Sequence, residues 1–285
     1  MPRTPVRPLE PRDIDAVHHV TVAAFESLAR RFNEPPEPPG PLAASRIRIG
    51  RLLATDPGGA WVAERDGEIV GCSLALIRDG VWGLSLLVVS PDAQSSGVGR
   101  ELLARAWEHG AGARGWIVLA SRDPRALRSY SRLGLHLHPA LAARGRPRRV
   151  APEPEVRPGT LEDLPLTAAV DRAVRNAAHG DDIAALMEAG GNLLVLPDRG
   201  YAVVRDGTLR QLGAVDRDGA ATLLRACLAA ADGREAHVEW ITSAQDWAIG
   251  PCLDAGLELR MDVGAVFLGG DVGPFAPYLP SGAYL

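Results

Sequence analysis

The chain has 285 residues, 46% of them hydrophobic, and a formal net charge of −4. That length suits two domains with sizeable cores, and no apolar run is long enough to span a bilayer. The opening MPRTPVRPLEPRD lacks the apolar stretch of a secretory leader, and Cys72, Cys227 and Cys252 form neither a disulfide framework nor a metal spacing, so a cytoplasmic protein is expected.

In chain order, a strand is expected near 5–9, then helices near 14–31 and 42–55. Strands follow at 60–65, 68–77 and 81–89, with Asp66-Gly67 and Asp79-Gly80 as hairpin turns. A helix is expected over 97–110, stopped by Gly110 and Gly112, then a strand at 115–120 and a helix near 124–133. Residues 139–160 are rich in Pro, Gly and Arg and read as a domain boundary. Beyond it come a strand at 154–158, helices near 161–177 and 181–189, and strands at 192–197, 200–205 and 208–214. A helix at 218–231, a strand at 236–242, a helix at 246–254 and strands to about 269 complete the pattern.

The order is an α/β arrangement used twice, and short echoes support a duplication. Val6-Arg7-Pro8 returns as Val156-Arg157-Pro158, Asp13-Ile14 returns as Asp163-Leu164, and WVAERDG (61–67) is echoed by YAVVRDG (201–207). The expected domains are 1–145 and 155–285. The first half is net cationic and the second net anionic, and lysine is absent throughout. The cluster RGRPRR (144–149) has no interleaved aromatics and reads as a solvated linker, so neither nucleic acid nor membrane is an expected partner.

The stretch SPDAQSSGVGRELL (90–103) carries the most chemistry. Free N–H groups at a helix start, with the helix dipole, make an anion site, and glycine lets the backbone approach a phosphate. Gly97 and Gly99 lie at that start, Ser95 and Ser96 add hydroxyls, and Arg100 puts a cation where the dipole disfavours one. A plain capped helix is the other reading, but it leaves two glycines that cost roughly 1 kcal/mol each with nothing in return. The stretch lacks the G-K-[ST] of nucleoside triphosphatases and the spacing of the dinucleotide fingerprint.

The pattern strand-P-x-x-Q-x-x-G-x-G-R-x-L-L resembles the acyl-CoA loop of the GNAT superfamily of N-acyltransferases, Q/R-x-x-G-x-G/A. The resemblance implies two tandem GNAT-like domains, each a mixed central sheet flanked by helices, the first catalytic and the second degenerate. It implies acetyl-CoA as co-substrate, its pyrophosphate on the amides of Gln94, Ser95, Ser96, Gly97, Val98, Gly99 and Arg100. Leu87, Val88 and Val89 would pair with the pantetheine arm. DPRALRSYSRLGL (123–135) is similar to the family's N-x-x-A-x-x-x-Y-x-x-x-G-F segment, with Ala126, Tyr130 and Gly134 in register. On that resemblance Tyr130 is the general acid toward the departing thiolate; a phenol of pKa about 10 can protonate a thiolate whose acid has pKa about 8.5 when geometry is fixed. Asp123 stands where the family has Asn, leaving the cofactor contact to it, to Ser121 or to Ser129.

No general base stands on 81–89. Glu26, Glu34 and Glu37 fall in or after the first helices and read as solvated charges. In some tandem members of the superfamily a chain-terminal carboxylate serves as base, which on this resemblance points to Leu285. The apolar segment GPFAPYLPSGAYL (273–285) is expected to pack along a domain interface. In the second half GAVDRDGAATLLRACL (213–228) has no loop motif, and Cys252 takes the tyrosine register. His179 and the pair His136/His138 look metal-like only in isolation, so no metal is expected.

The expected activity is acetyl transfer from acetyl-CoA to a primary amine, small-molecule or peptide, by direct attack in a ternary complex, in a monomer or homodimer. A non-catalytic acyl-CoA-binding sensor is the alternative.

Overall fold

The computed structural model describes residues 4–36 and 38–285. The first copy comprises strands β1 (Val6–Pro8), β2 (Ala60–Arg65), β3 (Glu68–Arg78), β4 (Val81–Val89), β5 (Gly115–Ala120) and β6 (His136–Gly145), with helices α1 (Ile14–Arg31), α2 (Leu42–Thr55), α3 (Val98–His109) and α4 (Pro124–Arg132). The second repeats that order: β7 (Arg157–Pro158), α5 (Leu164–Arg175), α6 (Asp182–Glu188), β8 (Asn192–Leu196), β9 (Gly200–Arg205), β10 (Thr208–Ala214), α7 (Arg217–Ala229), β11 (Ala236–Ile241), α8 (Ile249–Asp254) and β12 (Glu258–Gly270). A short β13 (Tyr278–Leu279) follows.

By contact, the chain packs into two units whose limits differ from those of the copies. One holds residues up to Ile77 together with Trp82–Ala113; the other holds Arg78–Val81 and Arg114–Leu285. In the first unit β1, β2, β3 and β4 are neighbours in that order, β1–β2 and β2–β3 antiparallel. The buried residues of α3, Val98, Leu102, Leu103 and Ala106, recur at helical spacing and so form one apolar stripe. Val98 and Leu102 pack with Ala63, Val70 and Ala93. Trp82 of β4 fastens that helix: its indole N–H donates to Ala106 O at 3.0 Å and its ring meets Trp107 edge-on at 5.3 Å. Burying such a ring stabilises by roughly 2–3 kcal/mol and holds strand and helix on either side of the loop that joins them.

In the second unit the strand order is β5-β12-β6-β11-β10-β9-β8-β7. Only β10–β11 is parallel among these pairs; the others are antiparallel, so the sheet is mixed. The order interleaves the copies: β12 of the second pairs with β5 of the first, and β6 of the first pairs with β11 of the second. Residues 136–145 thus form a strand between two partners, where composition alone reads the stretch from 139 as linker. Pro139 sits opposite Ala265, next to a register shift in β12, the kind of irregularity that admits proline inside a sheet. The core beside β10 and α7 includes Leu212, Leu223, Leu228, Val238 and Leu279, the last supplied by β13.

Candidate active site

The stretch after β4 is built to leave its amides free. Pro91–Ala93 make a single 3-10 turn closed by Ala93 N–H on Ser90 O at 2.9 Å. Ser95 (φ +65°) and Gly97 (φ +93°) then take left-handed backbone, and Gly97 precedes the first turn of α3. That conformation is strained for a side chain with a Cβ and open to glycine. Arg100 and Glu101 donate their amides to Gly97 O, at 3.1 and 3.2 Å. The amides of Ser95, Ser96, Gly97, Val98 and Gly99 donate to no protein group among the described residues. Five successive N–H groups at the start of a 12-residue helix carry partial positive charge and suit an anion with several oxygens.

Side chains hold the loop in that shape. The Gln94 amide donates to Val89 O at 3.1 Å, pinning the loop to the end of β4, and Ser96 Oγ donates to Ala93 O at 2.6 Å. The Arg100 guanidinium comes within 3.6 Å of where a Cβ on Gly97 would lie, so its charge overhangs the free amides. Leu87 and Val89 are half-buried and Val88 is buried at the strand end.

Tyr130 belongs to the other unit. It is buried on α4, its ring edge-on to Phe267 of β12 at 5.6 Å, and its hydroxyl has no protein hydrogen-bond partner among the described residues. Burial, then the charge of Asp123, pushes the phenol above its ordinary range and keeps the proton on oxygen. Asp123 is the cap of α4: Oδ1 accepts from Arg125 N–H at 2.8 Å, and the carboxylate pairs with the Arg125 guanidinium at 2.6 Å. Ser129 Oγ donates back to Arg125 O at 2.7 Å. Both residues expected on the cofactor therefore already have local partners. Glu26 is half-buried and lies 3.6 Å from Arg30, and Glu37 lies outside the described residues.

Leu285 is buried, and its oxygen accepts from Tyr278 OH at 2.9 Å and lies 2.5 Å from His179 Nε2. His179 is part of a buried polar cluster. Its Nδ1 lies 2.8 Å from Asp171 Oδ2, which also accepts the His179 backbone N–H at 3.1 Å. Tyr201 OH donates to Asp171 Oδ1, and the Gln211 amide donates to Tyr201 OH at 2.7 Å. Sequence reasoning names His179 and Leu285 but passes over Asp171, Tyr201 and Gln211, because these come from α5, β9 and β10 and share no local spacing. Cys252, in the tyrosine register of the second copy, is a buried thiol pushed up to about 12 by desolvation. No group of three His, Cys, Asp or Glu that could hold a metal occurs among the described residues, and no described helix is long and apolar enough to cross a membrane.

The repeated α/β order and the loop of free amides after β4 are what the comparisons with known proteins bear on. A family model described as an acetyltransferase (GNAT) domain matches residues 56–134, which include the whole loop and Tyr130. A search of curated proteins finds no match. Among solved structures, a protein from Pyrococcus horikoshii, provisionally described as an acetyltransferase, is 17% identical with a TM-score of 0.77, covering 100% of this chain and 97% of that one. A GCN5-related N-acetyltransferase from Sphaerobacter thermophilus is 16% identical with a TM-score of 0.58, covering 95% and 97%. A tandem GNAT protein from the clavulanic acid biosynthesis pathway is 16% identical with a TM-score of 0.57, covering 94% and 99%. Residues 56–134 match the GNAT acetyltransferase domain model, and the whole chain shares the fold of tandem GNAT structures. Acetyl-CoA is the co-substrate of that family.

Proposed function

We propose that the protein is an acetyl-CoA-dependent N-acetyltransferase acting on a primary amine, its first copy catalytic. The observation that carries this reading is the run of five unbonded amides from Ser95 to Gly99. They would take the CoA pyrophosphate, with Arg100 adding charge, and the end of β4 at Leu87–Val89 would pair with the pantetheine arm.

In this reading the neutral amine attacks the thioester carbonyl carbon directly. The C–N bond forms, the C–S bond breaks, and the leaving thiolate takes the proton of the Tyr130 hydroxyl. The proton released by the acylated nitrogen passes to water, and Tyr130 is reprotonated from solvent. Backbone N–H near Val89 would stabilise the developing oxyanion. The Tyr130 hydroxyl has no protein partner among the described residues, which leaves its proton available to the thiolate and supports the role of acid. Leu285, its oxygen already held by Tyr278 and facing His179, is given the role of anchoring the closing segment.

The test is release of free CoA from acetyl-CoA across a panel of amines: aminoglycosides, polyamines, amino acids and peptide N-termini. Amine-dependent release that falls in Tyr130→Phe supports the reading. Stoichiometric acetyl-CoA binding with no release to any amine would favour the acyl-CoA sensor instead.

A further inference from the structure

In element order β10 of the second copy corresponds to β4 of the first, each leading into a loop and a helix. β10 and β11 run parallel but share a single register pair, Thr208 with His237. Further along β10, the edge is taken by β13, antiparallel, with Leu279 opposite Leu212 and Tyr278 opposite Gly213. Ala214 N–H extends the ladder by donating to Pro277 O at 3.2 Å. An extended piece of chain is therefore paired with the second copy on the strand that corresponds to the cofactor strand proposed for the first.

The fit continues along the segment. A Cβ on Gly213 would come within 3.2 Å of Val170, a tight approach, and would lie 3.6 Å from Tyr278, so the tyrosine ring lies beside the strand at this position. Phe275 O accepts from the Gln245 amide at 2.6 Å, just ahead of α8. Tyr278 stacks on His179 at 6.2 Å, and the Leu285 oxygen closes the run at His179 and Tyr278. Phe275, Tyr278, Leu279, Tyr284 and Leu285 are all buried. At the helix start the second copy also differs: Asp216 accepts the Gly219 N–H at 2.7 Å and is gripped by Arg199 at 3.0 and 2.5 Å. A carboxylate of the chain itself fills the place where the first copy leaves amides free.

We infer that the second copy is a cleft for an extended peptide chain, occupied in cis by residues 275–285, and that Asp216 closes it to acetyl-CoA. The ligand class follows from the contacts: backbone amides and carbonyls for β10, an aromatic ring beside Gly213, and a backbone oxygen at the segment's end for His179. Only the exclusion of acetyl-CoA rests on the function proposed above.

The test uses the full chain with Tyr278→Ala, which loosens the segment and leaves the cleft side intact. A labelled peptide of residues 274–285 (PFAPYLPSGAYL) should bind this variant about tenfold or more tighter than it binds the unmodified chain, whose cleft is filled, and should raise its melting temperature. The same peptide with its first tyrosine replaced by alanine should do neither. Equal binding to variant and unmodified chain overturns the inference. Should Tyr278→Ala not fold, Tyr278→Phe removes only the hydroxyl. Hydrogen exchange of the amides in 210–214 and 276–285 should then quicken together, on the order of tenfold; unchanged rates overturn the inference. Acetyl-CoA binding is read separately. A second equivalent appearing in Tyr278→Ala refutes closure by Asp216, whereas a chain that takes no acetyl-CoA at all refutes the proposed function and leaves the peptide result standing.

Discussion

Arg7 grips Asp13 with two hydrogen bonds, Nη1 to Oδ2 at 2.7 Å and Nη2 to Oδ1 at 2.9 Å. The second copy repeats the grip with Arg157 and Asp163, at 3.0 and 2.6 Å. In each, the aspartate also accepts a backbone N–H three residues earlier, from Glu10 and from Thr160, at 2.9 Å. The 150-residue echo seen in the sequence is thus a conserved piece of local geometry: a strand tied to the start of the helix that follows it.

Removing that tie should have a definite pH signature. Hydrogen bonds from Arg7 hold the Asp13 carboxyl below the usual carboxylate range, against burial, which acts the other way. With an unfolded value near 3.9, the stabilisation is complete above about pH 4 and is lost as pH falls through the depressed folded value. Asp13→Asn should cost roughly 1–3 kcal/mol at neutral pH, and the difference from the unmodified chain should shrink below about pH 4 in urea melts. Asp163→Asn should cost less, because Arg157 is 49% exposed against 27% for Arg7 and water screens its pair. A difference that stays constant with pH would contradict the account.

Gly97→Ala tests the loop. Its φ of +93° makes any Cβ unfavourable, by about 1 kcal/mol, and relaxing that strain would turn the free amides away from one another. The expected outcome is a small drop in melting temperature and an acetyl-CoA dissociation constant raised about tenfold or more, read by calorimetry. Unchanged affinity would remove the loop from cofactor binding.

Tyr130→Phe separates chemistry from packing. The ring contact with Phe267 survives and no hydrogen bond to the protein is lost, so the melting temperature should hold. Turnover should fall about 100-fold with KM for acetyl-CoA unchanged, the usual scale of a lost general acid. Because the phenol is pushed above its ordinary range, its deprotonation should not limit activity at mildly basic pH. Full turnover in the variant would assign the proton to water.

The three thiols should be inert in the folded protein. Cys227 and Cys252 are pushed up to about 12 by desolvation, and Cys72 is raised too. Iodoacetamide at mildly basic pH should label none of them natively and all of them in urea, by mass spectrometry. Native labelling of Cys252 would reopen it as a nucleophile.

Much of this architecture was legible because its signals are local. Periodicity and turn residues placed α1, α2, β2, β4, β5, β9 and β10 within a residue or so, and Gly97 and Gly99 marked the loop. What escaped depends on long-range pairing. The strand His136–Gly145 carries the Pro, Gly and Arg of a linker and becomes a strand because β11 and β12 supply partners on both sides. β13 is two residues long and exists only because β10 has an edge to offer. The same holds for side chains: Tyr130 was visible from a register, whereas Asp171, Tyr201 and Gln211 lie far apart in sequence and meet only through tertiary packing.

That buried cluster yields the last prediction. The Asp171 carboxylate receives the His179 backbone N–H and the Tyr201 hydroxyl and faces His179 Nδ1, and it is fully buried. Asparagine in its place offers one acceptor oxygen and turns an N–H₂ group toward a hydroxyl or imidazole that had been its partner. Asp171→Asn should therefore cost about 2–4 kcal/mol, most of it from donors left unpaired in the interior. Tyr201→Phe alone should cost about 1 kcal/mol, since Asp171 keeps its other contacts while the Gln211 amide loses an acceptor. With both changes, the asparagine no longer meets the hydroxyl, so the double variant should lose less stability than the two single losses combined. Denaturant melts of the four proteins measure that coupling directly. Strict additivity would mean that Asp171 and Tyr201 do not share a network and that the cluster is held by packing alone.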